Sequence, residues 1–90
     1  MTSKQLEFRG IPINHLAMYL EELGGERITD NMPFLYKGDG WTANIITEQE
    51  IAFTSVFKVN AVQILFTAND EETLKQLIKN YRYKTTRIGG

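Results

Sequence analysis

Apolar and polar positions alternate along the first residues of the chain. In "KQLEFRG" Lys4, Leu6 and Phe8 share one row and Gln5, Glu7 and Arg9 the other, which predicts a half-buried strand ending at Gly10. The period then changes. In "IPINHLAMYLEELGG" the residues Ile13, Leu16, Ala17, Leu20 and Leu23 fall on one helical stripe, with Tyr19 on its shoulder. Pro12 suits the first helical turn, where a missing N–H costs nothing, and Gly24 supplies the left-handed conformation that ends helices.

A meander of strand-like segments follows. "RITDNMPFLYKG" is the least regular, because Pro33 cannot donate to a strand ladder and predicts an edge, a bulge or a break. "KGDGW" reads as a tight turn, and "WTANIITE" as a strand alternating Trp41, Ala43 and Ile45 with Thr42, Asn44 and Ile46. The polar run Glu48–Gln49–Glu50 predicts a reversal, "IAFTSVF" a further strand, and "KVN" another turn. In "AVQILFTA", Val62, Ile64 and Phe66 share one face. The last element begins at Asn69 or Asp70, either able to cap a helix whose apolar stripe is Leu74, Leu77, Ile78 and Tyr81. Beyond Tyr83 the stripe fails, so "TTRIGG" predicts a short strand or a loose tail.

Strand, helix, three or four strands and helix make an α+β chain, one domain over residues 1–90. The expected architecture is a two-layer sandwich, with both helices on one face of an antiparallel sheet of four or five strands. Its order, β-α-β-β-β-β-α, is that of TATA-binding-protein-like folds.

Composition narrows the chemistry. With 42% hydrophobic and 23% charged residues, the chain is of ordinary globular make-up. It has no cysteine and one histidine, which excludes disulfides, thiolate metal centres, cysteine nucleophiles and a multi-histidine site within one subunit. No apolar run is long enough to span a membrane and no secretory leader is evident, so the expected compartment is the cytoplasm.

His15, beside Met18, Tyr19 and Glu22, could act as a general base with Glu22 or Tyr19 as orienter, but a lone helix-shoulder histidine more often has no task. Glu21 and Glu22 diverge on a helix, Ser55 sits mid-strand, and "GDG" lacks the oxygen ligands of a calcium loop. The expectation is a protein that is not an enzyme and takes no cofactor or metal.

Charge is spread unevenly. Residues 1–72 carry all eleven acids and five bases, whereas 73–90 carry five bases and no acid. Lys75, Lys79, Arg82, Lys84 and Arg87, with Tyr81 and Tyr83, are the candidate contacts for phosphate or nucleic acid. The acidic remainder argues against nucleic acid as a partner, since phosphate attraction supplies most non-specific affinity. A helix complementing its own dipole is the plainer account. Among the aromatics, Phe8, Phe53, Phe57 and Phe66 fit a core, while Phe34, Tyr36 and Trp41 join Tyr81 and Tyr83 near a hairpin and a helix end. The sheet face without helices would carry Thr42, Asn44, Ile46, Thr54, Val56 and Leu65, a mixed surface of the kind that packs on another subunit.

The sequence ends "RIGG". A terminal Gly-Gly is the chemical handle of ubiquitin-like sulfur carriers, which activate the last carboxylate by adenylation. The strand–helix opening argues against it, because a β-grasp carrier opens with a hairpin. "EFRGIP" leading into "YLEELGGER" resembles the small α+β domain at the C-terminus of certain bacterial MoaD-related proteins, relatives of the molybdopterin synthase small subunit. The resemblance spans roughly residues 5–88. It implies a domain distinct from the carrier domain and transfers no catalytic residue. Three readings follow: a self-associating, non-catalytic interaction domain, a weak binder of nucleic acid or phosphate ligands, and a diglycine sulfur-carrier-like protein.

Overall fold

The computed structural model describes residues 1–52 and 54–89, the side chains of 87–89 excepted. In chain order the elements are β1 (Thr2–Arg9), α1 (Ile13–Glu22), β2 (Glu26–Arg27), β3 (Phe34–Gly38), β4 (Trp41–Ala52), β5 (Lys58–Ala68) and α2 (Glu71–Gly89). The strands form one sheet in the order β1-β5-β4-β3-β2, antiparallel at every junction. The chain therefore has the expected α+β fold with a five-stranded open sheet.

Alternation decides which face is buried. Register sets Tyr36 opposite Ala43, Ala43 opposite Phe66 and Ile45 opposite Ile64, and these side chains pack with Leu16 and Leu20 of α1 and Leu74, Leu77 and Tyr81 of α2 in one core. Leu6 and Phe8 of β1 pack against its margin. Burial of this apolar area is the main stabilising term.

The end of α1 follows its sequence closely. Gly24 takes φ +97°, its N–H donates to Glu21 O at 3.0 Å, and the Gly25 N–H donates to Leu20 O at 2.9 Å. That pair of bonds satisfies the last carbonyls of the helix in a Schellman motif. Tyr19, expected on the shoulder, is instead only 5% exposed, with its ring edge-on to Tyr81 at 6.4 Å between centroids. Pro33 stands in the break between β2 and β3, where the Thr29 hydroxyl donates to Pro33 O and accepts the Leu35 N–H.

Three expectations are corrected. The chain does not reverse at Glu48–Glu50. β4 runs on to Ala52, pairing with Lys58, so "KVN" lies within β5 and "IAFTSVF" is no separate strand. A bulge between Ile45 and Thr47 re-phases the strand, and Glu48, Gln49 and Glu50 lie exposed on the stretch past it, where polar residues sit in water without breaking the ladder. The reversal falls after Ala52, where the Thr54 hydroxyl accepts the N–H groups of Phe57 at 2.9 Å and Val56 at 3.3 Å. Thr54 and Val56 thus belong to this hairpin tip, not to the open sheet face.

Phe57 is likewise no core residue. It is 58% exposed because the tip stands away from the helices, and Phe53, also assigned to the core, lies outside the described residues. The third correction concerns the tail. α2 continues through "TTRIG" to Gly89, and Gly90 lies outside the described residues. Thr85 takes the next place on the buried stripe after Tyr81, and the hydroxyls of Thr85 and Thr86 both donate to Arg82 O. These bonds back onto the preceding turn give both hydroxyls a partner within the helix.

Candidate interaction surface

The sheet face away from the helices is built by the second row of each strand. Leu35 of β3, Asn44 of β4 and Leu65 of β5 stand side by side at its centre, each half-buried. Thr42 and Thr67 form the neighbouring row, and the bulge sets both Ile46 and Thr47 opposite Gln63. The Asn44 side-chain oxygen is buried between the two leucine strands, with no donor among the described residues.

Toward β1 the same face turns polar and well ordered. Arg9 Nε donates to Glu7 Oε2 at 2.7 Å, Gln63 Nε2 to Glu7 Oε1 at 2.8 Å, and Gln5 Nε2 to Gln63 Oε1 at 3.1 Å. Ser3 and Thr67 share a hydroxyl bond at 3.0 Å. The face thus grades from a centre with two leucines to a polar margin. β1 itself is an edge strand, and only β5 pairs with it.

The basic C-terminal residues are not one cluster. Lys75, Lys79, Arg82 and Tyr83 are exposed along one flank of α2. Lys84 turns the other way, with Nζ 2.8 Å from Glu22 Oε1 of α1, so its charge is matched inside the fold. Tyr81 is corrected outright as a stacking residue. Its ring is wholly buried, edge-on to Phe8 and Phe66, and burial pushes its phenol well above the usual tyrosine range. The Arg87 side chain lies outside those described.

Tyr36 and Trp41, grouped with it at the sequence level, are core residues as well. Burial, and secondarily the Glu21 charge, raise the Tyr36 phenol, with Arg27 acting in the opposite sense. Phe34 is half-buried beneath the Arg27 guanidinium, 5.9 Å from the ring centroid.

The His15 relay does not assemble. His15 Nδ1 and Tyr19 Oη are both buried without a hydrogen-bond partner among the described residues, and Glu22 is engaged by Lys84. Among the described residues no group of three His, Asp or Glu side chains could hold a metal ion. Nor is any described helix long and apolar enough to cross a membrane.

A family model for archaeal MoaD-like proteins matches residues 4–90, nearly the whole sequence. The chain belongs to the archaeal MoaD-like family. The resemblance carried by "EFRGIP" and "YLEELGGER" pointed to MoaD-related proteins of bacteria, whereas the matching family is described as archaeal. The two stretches fall on β1 and its exit, and on the end of α1 with its glycine cap and β2. In the fold both stretches are structural positions: a strand exit, a helix end and its glycine cap. No curated protein matches the chain.

Proposed function

We propose that this MoaD-like chain is a non-catalytic interaction domain that associates with further copies of itself. The observation that carries the reading is a sheet left uncovered in two places: helices lie on one face only, leaving Leu35 and Leu65 at the centre of the other, and β1 is an edge strand. Half-buried leucines gain apolar burial from a partner, and an edge strand gains main-chain hydrogen bonds. Light scattering over a hundredfold range of concentration tests it. A mass above the 10.3 kDa of the chain at micromolar concentration is expected, and a single-chain mass throughout would refute it.

A second reading, a sulfur-carrier-like small protein, draws on the family description and on Gly89–Gly90 at the end of the sequence. Adenylation of a terminal carboxylate needs a small, flexible end that enters an enzyme cleft. α2 runs to Gly89, so the last turns would have to unwind, and the strand–helix opening differs from the hairpin opening of a β-grasp carrier. Intact-mass analysis of protein from its own cell separates the two. The mass change of one carboxylate oxygen replaced by sulfur, mapped to the last peptide, would establish the carrier and displace the first reading.

A further inference from the structure

The two edges of the sheet differ. β2 is two residues long and ends at the break before Pro33, whereas β1 pairs with β5 in unbroken register from Thr2 to Arg9. The direction of its free groups follows from one hydrogen bond. The Gly10 N–H donates to Asn60 O, continuing the β1–β5 ladder, so the even-numbered residues of β1 face β5. Ser3, Gln5, Glu7 and Arg9 therefore direct their N–H and C=O groups to the outside. An open groove of about 430 Å³, lined by Leu74 and Ile78 among others, separates the start of β1 from α2, and β1 stands at the edge of the sheet. Long, regular, uncovered edges are templates for another strand.

We infer that β1 is the self-association edge, pairing antiparallel with β1 of a second copy about a two-fold axis at Leu6. The inference rests on the self-association reading and names its surface. Continuity of the sheet faces requires odd residues opposite odd and even opposite even, which leaves few registers. Centred on Leu6, Ser3 stands opposite Arg9 of the second copy and Gln5 opposite Glu7. All four outward residues are then paired, each pair exchanging two main-chain hydrogen bonds. Centred on Gln5, Arg9 is left without a partner. Centred on Glu7, two carboxylates face each other directly, which is destabilising.

Side chains favour the same register. The Gln5 amide spends one N–H on Gln63 and keeps another for Glu7 of the second copy, whose oxygens each retain acceptor capacity. On the helix side Leu6 meets Leu6, and Lys4 lies over Phe8 of the second copy. Leu6 and Phe8, half-buried in the single chain, gain cover. In this register Glu7 and Arg9 stand opposite the neutral polar Gln5 and Ser3 of the second copy, so no like charges face each other and neither is left without a partner.

Because the chain has no cysteine, Leu6→Cys places a unique thiol at the axis, where opposed Cα atoms come within disulfide reach. Leu65→Cys, at the centre of the open face, reports association face to face. Glu7→Pro removes an outward N–H that β5 does not use, a substitution an edge strand tolerates. The expected result is a wild-type mass of twice 10.3 kDa, oxidative cross-linking of Leu6→Cys but not of Leu65→Cys, and a folded, single-chain Glu7→Pro by circular dichroism and light scattering. A dimer that persists in Glu7→Pro and cross-links through Leu65→Cys overturns the edge while leaving self-association intact. A single-chain mass for the wild type overturns both. Should Glu7→Pro fail to fold, the two cysteine variants decide alone.

Discussion

The Tyr81 hydroxyl of α2 donates to the main-chain oxygen of Leu16 in α1 at 2.8 Å, fully buried at the meeting of both helices with the sheet. One side chain thereby ties the two helices together, while its ring packs on Phe8 of β1 and Phe66 of β5. The contact joins residues 65 positions apart, so it reports the docking of α2, not local helix formation.

Tyr81 makes stability sensitive to alkali. Burial raises its phenol above the ordinary value of 10.0, so above that pH the unfolded chain loses a proton that the folded chain keeps. Stability from this group is whole below about pH 10 and declines as pH rises further. Tyr81→Phe should cost about 0.5–1.5 kcal/mol at neutral pH through the lost hydrogen bond. It should also flatten the alkaline fall in melting temperature. An unaltered alkaline slope in the variant would remove Tyr81 as its source.

Asp70 acts at the other end of the pH range. Its carboxylate accepts the Thr73 N–H at 2.7 Å, capping α2, and that bond above all holds its pKa below the usual carboxylate value. The stabilisation is present above the unfolded value of 3.8 and is lost as pH falls through the lower folded one. Asp70→Ala should lower the melting temperature by a few degrees at neutral pH. Asp70→Asn should keep most of the cap and lose only the acid-dependent part. Equal melting of Asp70→Ala and wild type would mean that the cap contributes nothing.

How much of this was legible depended on whether one period governed a segment. The stripes Leu16–Leu20 and Leu74–Leu77–Ile78–Tyr81, and the row Val62–Ile64–Phe66, each obey one period throughout, and all are buried. β4 does not. Its bulge at Ile46 changes phase mid-strand, and its outer half is wet on both faces, so Glu48–Gln49–Glu50 imitate a turn. The end of α2 was hidden because Thr85 fills a buried stripe position with a polar side chain whose hydroxyl bonds to its own helix. For the surface, sequence located the basic residues but not their directions. Lys84 is withdrawn by Glu22, 62 positions away, a pairing no local pattern encodes.

Trp41 yields a packing prediction. The indole covers Gly38 so closely that a Cβ there would overlap its ring, and a Cβ on Gly25 would come within 2.8 Å of both Trp41 Cη2 and Leu20 O. Two glycines thus form the bed that lets the β3–β4 hairpin close against the end of α1. Gly38→Ala should displace the indole and destabilise by about 1–3 kcal/mol, as overpacking does. Trp41→Leu in the same background should recover part of that loss by freeing the space. A denaturant midpoint for Gly38→Ala equal to wild type would contradict the account, and Trp41 fluorescence would show whether the ring had moved.

The exposed flank of α2 sets an upper bound on nucleic-acid binding. Lys75, Lys79 and Arg82 lie on one side of the helix with Tyr83, but Lys84 is paired and Tyr81 is buried, so of the four bases Lys75, Lys79, Arg82 and Lys84 the flank presents three. Few phosphate contacts mean a shallow dependence on salt and a weak complex, opposed by the acids of the remaining chain. Binding to single-stranded RNA should therefore be detectable only at low salt, and Lys75→Ala with Arg82→Ala should abolish it without altering the melting temperature. Submicromolar binding at physiological salt, lost on Arg82→Ala, would instead make this flank the functional surface and demote the sheet. Lys84→Ala separates the alternatives further. It should lower stability slightly by leaving Glu22 without its partner, by about 0–1 kcal/mol for a partly exposed pair, and should leave any RNA binding unchanged.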